Sequence, residues 1–214
     1  MYVPSQFLET NQEVIDSIIE KNPLGTLTYS TAAGLDATHI PFVHRRFDGE
    51  NEVLVAHVAR NNSIWKEVAD GSEVLVIFHG GDTYVSPNWY PSKHETHRLV
   101  PTWNYQVVHV RGTIHFKADA KELHSSAALL THQQETAAKE PKPWKMADSS
   151  RDFIAQLLDA IVGVEIKITS TIAVSKLSQN RQERDKSALV AKLHERGEDA
   201  IAEKIEKATL PPPL

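Results

Sequence analysis

The sequence predicts a mainly β protein of the α+β class: an antiparallel barrel, read from the residues as closed, with flanking helices. Three observations predict it. Six or seven short segments carry β-branched or period-two apolar patterns. They lie close together and are separated by hairpin-type turns, so antiparallel pairing dominates. Helical patterns are confined to the two ends and one long connection.

Taken in order, Thr10 with Glu13 three residues on reads as a capping box, and Val14, Ile15, Ile18 and Ile19 mark one face of the helix it opens. Asn22-Pro23 stops that helix. Leu24 to Ser30 is a strand that turns at Ala33-Gly34 into a returning strand, Leu35 to Phe47. Pro41 removes a ladder donor, which puts this strand at an edge or a bulge. Asp48-Gly49 makes the next turn, and Val53 to Val58 is an apolar strand running into ARNNSIWKEV, a turn that opens a short helix. Val74 to His79 is a strand, and Gly80-Gly81-Asp82 is expected to turn it back into Thr83 to Ser86.

From Gln106 to Phe116 the pattern is a long strand. Val108, Val110, Ile114 and Phe116 alternate with His109, Arg111, Thr113 and His115, with Gly112 on the apolar face. Asp119 caps a helix with Glu122 at the capping-box position, lined by Leu123, Ala127 and Leu130. KEPKPWK, from Lys139, is a proline-broken loop. Ser150 starts a helix that Gly163 is expected to stop, and Val164, Ile166 and Ile168 mark the last strand. Asn180, with Glu183, is expected to cap the terminal helices, which break at Gly197; the PPPL end reads as extended and loose. The division is 1–178 for the barrel domain and 179–214 for a C-terminal helical extension.

At 214 residues and 41% hydrophobic, the chain can bury a real core. A net charge of -5 gives no general signal for nucleic acid. There are no cysteines, which excludes disulfides, thiolate catalysis and zinc-cysteine sites. The N-terminus lacks the basic and apolar regions of a signal peptide, and no apolar run reaches membrane-spanning length, so a soluble cytoplasmic protein without membrane association is expected.

The densest chemistry lies between Tyr84 and Gly112, which holds two of four tryptophans and three of five tyrosines. Aromatic rings with a polar tip suit either the wall of a flat conjugated ligand or a subunit interface. Trp103 and Tyr105 are the candidates to lie over a ligand ring. His57, Arg60 and Asn61 follow an apolar strand and precede a helix, a composition that fits a phosphate cradle or a plain turn whose arginine faces water. Thr38 and His39 stand beside ladder-breaking Pro41, where a bulge would leave amides for the polar edge of a heterocycle; a satisfied edge strand is the alternative. His94 and His97, in KHETH, are three apart but read as loop, and a metal site needs three or four convergent ligands. Arg181, Arg184, Lys186 and Lys192 would face DNA or simply solvate a helix. A dinucleotide fingerprint, a Walker loop and G-x-S-x-G are absent.

Seven segments in this order resemble one family: MYVPSQF, THIPF, HVARNNSIW, DTYVSPNWY, VPTWNYQVVHVRG, LLDAIVGVEIKI and KLSQNR. The chain resembles the PaiB-like FMN-binding negative transcriptional regulators from Met1 to about Leu193. The resemblance implies an antiparallel Greek-key split barrel acting as a homodimer, with FMN at the interface and a role in sporulation and protease gene regulation. By position, His57, Arg60 and Asn61 would hold the phosphate end, Thr38, His39 and Ile40 would lie along the isoalloxazine edge, and Pro41 and Val58 would join them in binding the cofactor. Trp103, Asn104, Lys176 and Gln179 would close the pocket from the other subunit. Where the family pattern commonly has A-R-A-N-P, this chain has Ala59-Arg60-Asn61-Asn62-Ser63, a less rigid loop. A flavin-dependent oxidoreductase, with His39 or Tyr105 as proton donor, and a haem-binding split barrel suggested by the eleven histidines remain the alternatives.

Overall fold

The computed structural model describes residues 1–47 and 52–210. The Asp48-Gly49 turn and the PPPL end lie outside the described residues. In chain order the elements are β1 (Leu8–Glu9), α1 (Gln12–Lys21), β2 (Leu24–Thr31), β3 (Gly34–Pro41), β4 (Val43–Arg46), β5 (Glu52–Ala59), α2 (Ile64–Glu67), β6 (Glu73–Val85), α3 (Pro91–Thr96), β7 (Thr102–Lys117), α4 (Ala120–Ala138), α5 (Arg151–Asp159), β8 (Ile161–Lys176), α6 (Glu183–Glu195) and α7 (Asp199–Lys207).

The fold is the expected α+β split barrel. Seven strands follow the order β3-β2-β6-β7-β8-β5-β4, and β1 joins β8 off this path. The strands at the two ends of the path, β3 and β4, are consecutive in the chain and separated by Phe42 alone. A sheet whose edges are one residue apart must curl back on itself. Among the described residues those edges share no ladder, so the closed barrel read from the residues is corrected to an open one. The cause is local: Pro41 has no N–H to give, and the Phe42 N–H donates instead to the Pro23 carbonyl at 2.8 Å.

Close contacts divide the chain into two units. One comprises Met1–Ile18, His79–Val108 and Ile172–Leu214; the other comprises Ile19–Phe78 and His109–Thr171. The second unit has a sheet core of Leu27, Phe42, Leu54, Phe78, Ile114 and Ile166, all fully buried, with the Phe42 and Phe78 rings edge-to-face at 5.8 Å. Gly112 lies on the buried face of β7 as expected, and a Cβ there would stand 2.3 Å from the Lys167 carbonyl oxygen. In the first unit, α6 and α7 share a core with Val85, Tyr90 and Leu177 through Leu189, Leu193, Ile201 and Ile205.

Several local expectations hold. The Asp119 carboxylate accepts from the amides of Lys121 and Glu122, and Ser150 Oγ accepts from the Phe153 amide. Others are corrected. Asn11 rather than Thr10 opens α1, since its side-chain oxygen accepts from the Glu13 amide at 3.0 Å. Gly80-Gly81-Asp82 is no hairpin but the middle of the single strand β6. Glycine is needed there for close approach, because a Cβ on Gly80 would lie 2.8 Å from Gln106 Cβ, and for the positive φ of 97° at Gly81. Gly163 does not stop α5 either. It lies inside β8, where a Cβ would crowd Lys117 and Leu123 at 3.1 and 3.2 Å. The N-cap of α6 is Gln182, not Asn180.

Candidate functional site

The predicted residues fall on both units. In the sheet unit, Thr38, His39, Ile40 and Pro41 occupy β3 opposite Leu27, Thr26, Gly25 and Leu24 of β2. Ile40 is buried, Thr38 half-buried and His39 exposed, as strand alternation requires. β3 ends the strand order, and an edge strand carries a row of outward-facing amides and carbonyls.

His57 and Val58 occupy β5 opposite Gly163 and Val162 of β8. Gly163 presents no side chain to the imidazole. His57 Nδ1 is buried without a hydrogen-bond partner, and burial holds the ring below the ordinary histidine pKa, so it is neutral at pH 7. An unsatisfied buried polar atom costs about 1–3 kcal/mol. Such a group persists where something else uses it.

Arg60 is engaged differently from either sequence alternative. Its Nε donates to the Asp159 carbonyl at 2.5 Å and its Nη2 to the Ile161 carbonyl at 2.9 Å, while its amide donates to the Ala160 carbonyl. The guanidinium therefore satisfies carbonyls where α5 ends and β8 begins, carbonyls that a helix terminus otherwise leaves unpaired. The Arg60 carbonyl in turn accepts from Trp65 Nε1 at 2.9 Å. Asn61 is exposed, and the neighbouring Asn62 side chain accepts from the Ile64 amide. α2 has only four residues, so it contributes little macrodipole. The turn therefore offers an anion little attraction from a helix N-terminus.

In the first unit, Trp103 is 54% exposed and meets Tyr84 edge-on at 5.9 Å; Tyr84 meets Trp89 at 6.3 Å, with the Arg196 guanidinium 5.2 Å from the Trp89 ring. Asn104, next in sequence, points the other way and is 1% exposed. Its Nδ2 donates to Ser178 Oγ at 2.8 Å, and its Oδ1 is buried without a partner. The Tyr90 hydroxyl shares Ser178 Oγ at 2.9 Å. Lys176 Nζ donates to Thr102 Oγ1 at 2.6 Å; burial, then repulsion from Arg181, lowers its pKa. Gln179 folds onto its own turn, accepting from the Leu177 amide and donating to the Ser175 carbonyl.

Sequence reasoning missed Ser178 and Tyr90. Ser178 lies between Leu177 and Gln179 in the KLSQNR string, and only its backbone φ and its bonds to Asn104 and Tyr90 reveal it. KHETH forms the helix α3, not a loop, with His97 as its left-handed cap at φ 52°. Among the described residues no cluster of three or more metal-ligating side chains occurs. The cations considered for DNA are engaged within this unit: Arg184 forks onto Glu95 with two 2.6 Å bonds, and Lys192 pairs with Glu195. Arg181 lies over the Tyr90 ring, and buried Lys186 donates to the Glu206 and Ala208 carbonyls. No described helix is long and apolar enough to cross a membrane.

Comparison with known proteins gives a family match. A family described as "Putative FMN-binding domain" matches residues 1–170. The chain is 32% identical over 193 residues to the protease synthase and sporulation protein PAI 2 of Bacillus subtilis, covering 90% of this chain and 89% of that protein. It is 36% identical over 154 residues to an uncharacterized protein of Saccharomyces cerevisiae, covering 63% of this chain and 90% of that one. Among solved structures, a conserved hypothetical protein of Mycobacterium tuberculosis aligns with TM-score 0.58 at 14% identity, covering 86% of this chain and 95% of that chain. The FAD and heme binding protein of Mycobacterium smegmatis aligns with TM-score 0.55 at 19% identity, covering 79% and 73%. At such identities the two structures speak for the fold.

Proposed function

The chain belongs to the PaiB-like FMN-binding family, and from that premise we propose that it is a flavin-responsive regulatory protein acting as a homodimer. Its cofactor is FMN. One observation carries the assignment of residues. Among the described residues, two buried side-chain polar atoms lack a partner, His57 Nδ1 and Asn104 Oδ1, and both belong to the set that the resemblance marks for the cofactor. A neutral imidazole nitrogen and an amide oxygen are the kinds of groups that the polar edge of a heterocycle pairs with. The residues present therefore fit a flavin.

In this reading the β3 edge, from Thr38 to Pro41, lies along the ring system. His57 and Val58 bound the site, and the Arg60–Asn61 turn receives the phosphate, with two of the three guanidinium nitrogens of Arg60 held on main-chain carbonyls. That anchoring fixes the cation in place, so less freedom is lost when an anion binds. Trp103, Asn104, Lys176 and Gln179 come from the second protomer. The exposed Trp103 and Tyr84, with half-buried Trp89 beside them, support this, because large exposed aromatics with polar tips favour interfaces. Bound flavin would supply hydride and electron chemistry, while the chain supplies binding, orientation and hydrogen bonding. The regulatory role is supported by the relative whose name links it to protease synthesis and sporulation.

The test is an absorption spectrum with solution mass on fresh protein, then a promoter gel shift at low and high salt, with and without FMN. The proposal expects a yellow dimer whose promoter binding weakens with salt and changes with FMN. Absence of binding to any promoter fragment at low salt, together with rapid bleaching of the flavin band by NADH or NADPH, would replace regulation with oxidoreductase activity.

A further inference from the structure

The Asn104 amide is held at one end by its neighbours. Its NH2 end is taken, because Nδ2 donates to Ser178 Oγ at 2.8 Å. That hydroxyl is itself held twice over. The Tyr90 phenol, 1% exposed, reaches it at 2.9 Å, and the Ser178 backbone sits in a left-handed turn at φ 58°. The turn is tied by the Gln179 side chain to the Leu177 amide and the Ser175 carbonyl, and by the Arg181 amide to the Ser178 carbonyl at 2.9 Å. Rotating the amide by half a turn would bury an unpaired NH2 in place of an unpaired oxygen. As placed, Asn104 offers an acceptor to whatever approaches Oδ1.

We propose that Asn104 Oδ1 is the specificity-determining acceptor for the imide N–H of the flavin ring, and that Ser178 is its positioning residue. This rests on the flavin reading above. The class of ligand portion recognised is a cyclic imide, an N–H flanked by two carbonyls, of which the isoalloxazine N3–H is the instance. A buried acceptor discriminates strongly against an analogue whose N–H has been methylated, because that analogue brings a methyl group and leaves the oxygen unpaired. Ser178 does not touch the ring in this scheme. It acts by holding the NH2 end of the amide, so that Oδ1 is the end left for the ring.

The experiment compares FMN with N3-methyl-FMN on the full chain, by flavin fluorescence titration and equilibrium dialysis. The wild type is expected to bind FMN at least about tenfold more tightly than the methylated analogue. In Asn104→Leu the two flavins are expected to bind within about twofold of each other, since no acceptor remains to select between them. Ser178→Ala is expected to fold but to lower the melting temperature of the unloaded protein by several degrees, since the buried Tyr90 hydroxyl and Asn104 Nδ2 lose their shared partner. Its discrimination should be lost in part, a change that a merely structural role would not produce. FMN binding by the wild type with no discrimination overturns this assignment alone. No FMN binding overturns the flavin reading and this assignment with it. If Asn104→Leu fails to fold, the wild-type ratio and Ser178→Ala still decide.

Discussion

The turns that follow β5 and β8 hold their polar side chains in opposite ways. After β5, Arg60 is bound to main-chain carbonyls 99 and 101 residues away, and the cation serves the backbone. After β8, Ser178 and Gln179 are bound by neighbours, and the result is one side-chain acceptor, Asn104 Oδ1, left over. Both turns belong to segments that carry the resemblance to the family, the first with a departure at Asn61-Asn62-Ser63. The residue types alone make Arg60 look like the ligand-seeking group and Asn104 like packing. The bonds reverse that ranking: the informative atoms are those that the fold buries and leaves unsatisfied.

The largest way to break this comparison is to remove the sheet beneath the first turn. Gly112→Val places a side chain where even a Cβ meets the Lys167 carbonyl at 2.3 Å and Ile166 Cγ2 at 2.6 Å. We expect a loss of about 3 kcal/mol or more, read as insoluble protein or a collapsed urea midpoint. Arg60→Ala should come next. Without any ligand it leaves carbonyls at the α5–β8 junction unsatisfied, and we expect about 1–2 kcal/mol by urea unfolding, reduced from the full value because the guanidinium is partly exposed. Arg60→Lys should recover little, since an ammonium lacks the fork. Unchanged stability in the alanine variant would return Arg60 to the status of a pure ligand residue.

His57 sharpens the comparison through pH. Burial lowers its folded pKa, whereas the unfolded chain titrates near the ordinary value of about 6.5. Below that pH the unfolded state takes up a proton that the folded state refuses. The contribution is therefore intact above about pH 6.5 and is lost as pH falls toward the folded pKa. Urea unfolding at several pH values should show wild type losing stability relative to His57→Phe as the solution is acidified. Parallel curves would show that the imidazole is not desolvated. The smallest effect belongs to Arg184→Ala. The Arg184–Glu95 fork is well aligned but stands on the surface, and we expect no resolvable change in Tm.

Much of the fold was legible because it obeys local rules. The buried face of β7 announces itself by period two, and Asp119 and Ser150 by their capping spacing. Glycines were the main source of error. Gly80 and Gly163 read as turn and helix stop, yet both are there because another strand or side chain comes too close for a Cβ, a long-range fact with no local signature. The open seam at Phe42 was half legible. Pro41 signalled an edge, but only the strand order shows that both edges meet there. In the site, residue types were readable and their bonds were not: nothing near Arg60 in sequence announces Asp159 and Ile161 as its partners. Ser178 stayed hidden because a serine between Leu177 and Gln179 carries no signal until its φ and its two side-chain partners are seen.

The central claim is that this chain holds FMN through the atoms its own fold leaves unpaired. Titrating FMN into purified protein, beside His57→Phe and Asn104→Leu, tests it most directly. The account predicts saturable binding at one flavin per chain, weakened at least about tenfold in each variant that still folds. Wild-type affinity in both variants, or no binding to the wild type, would contradict it.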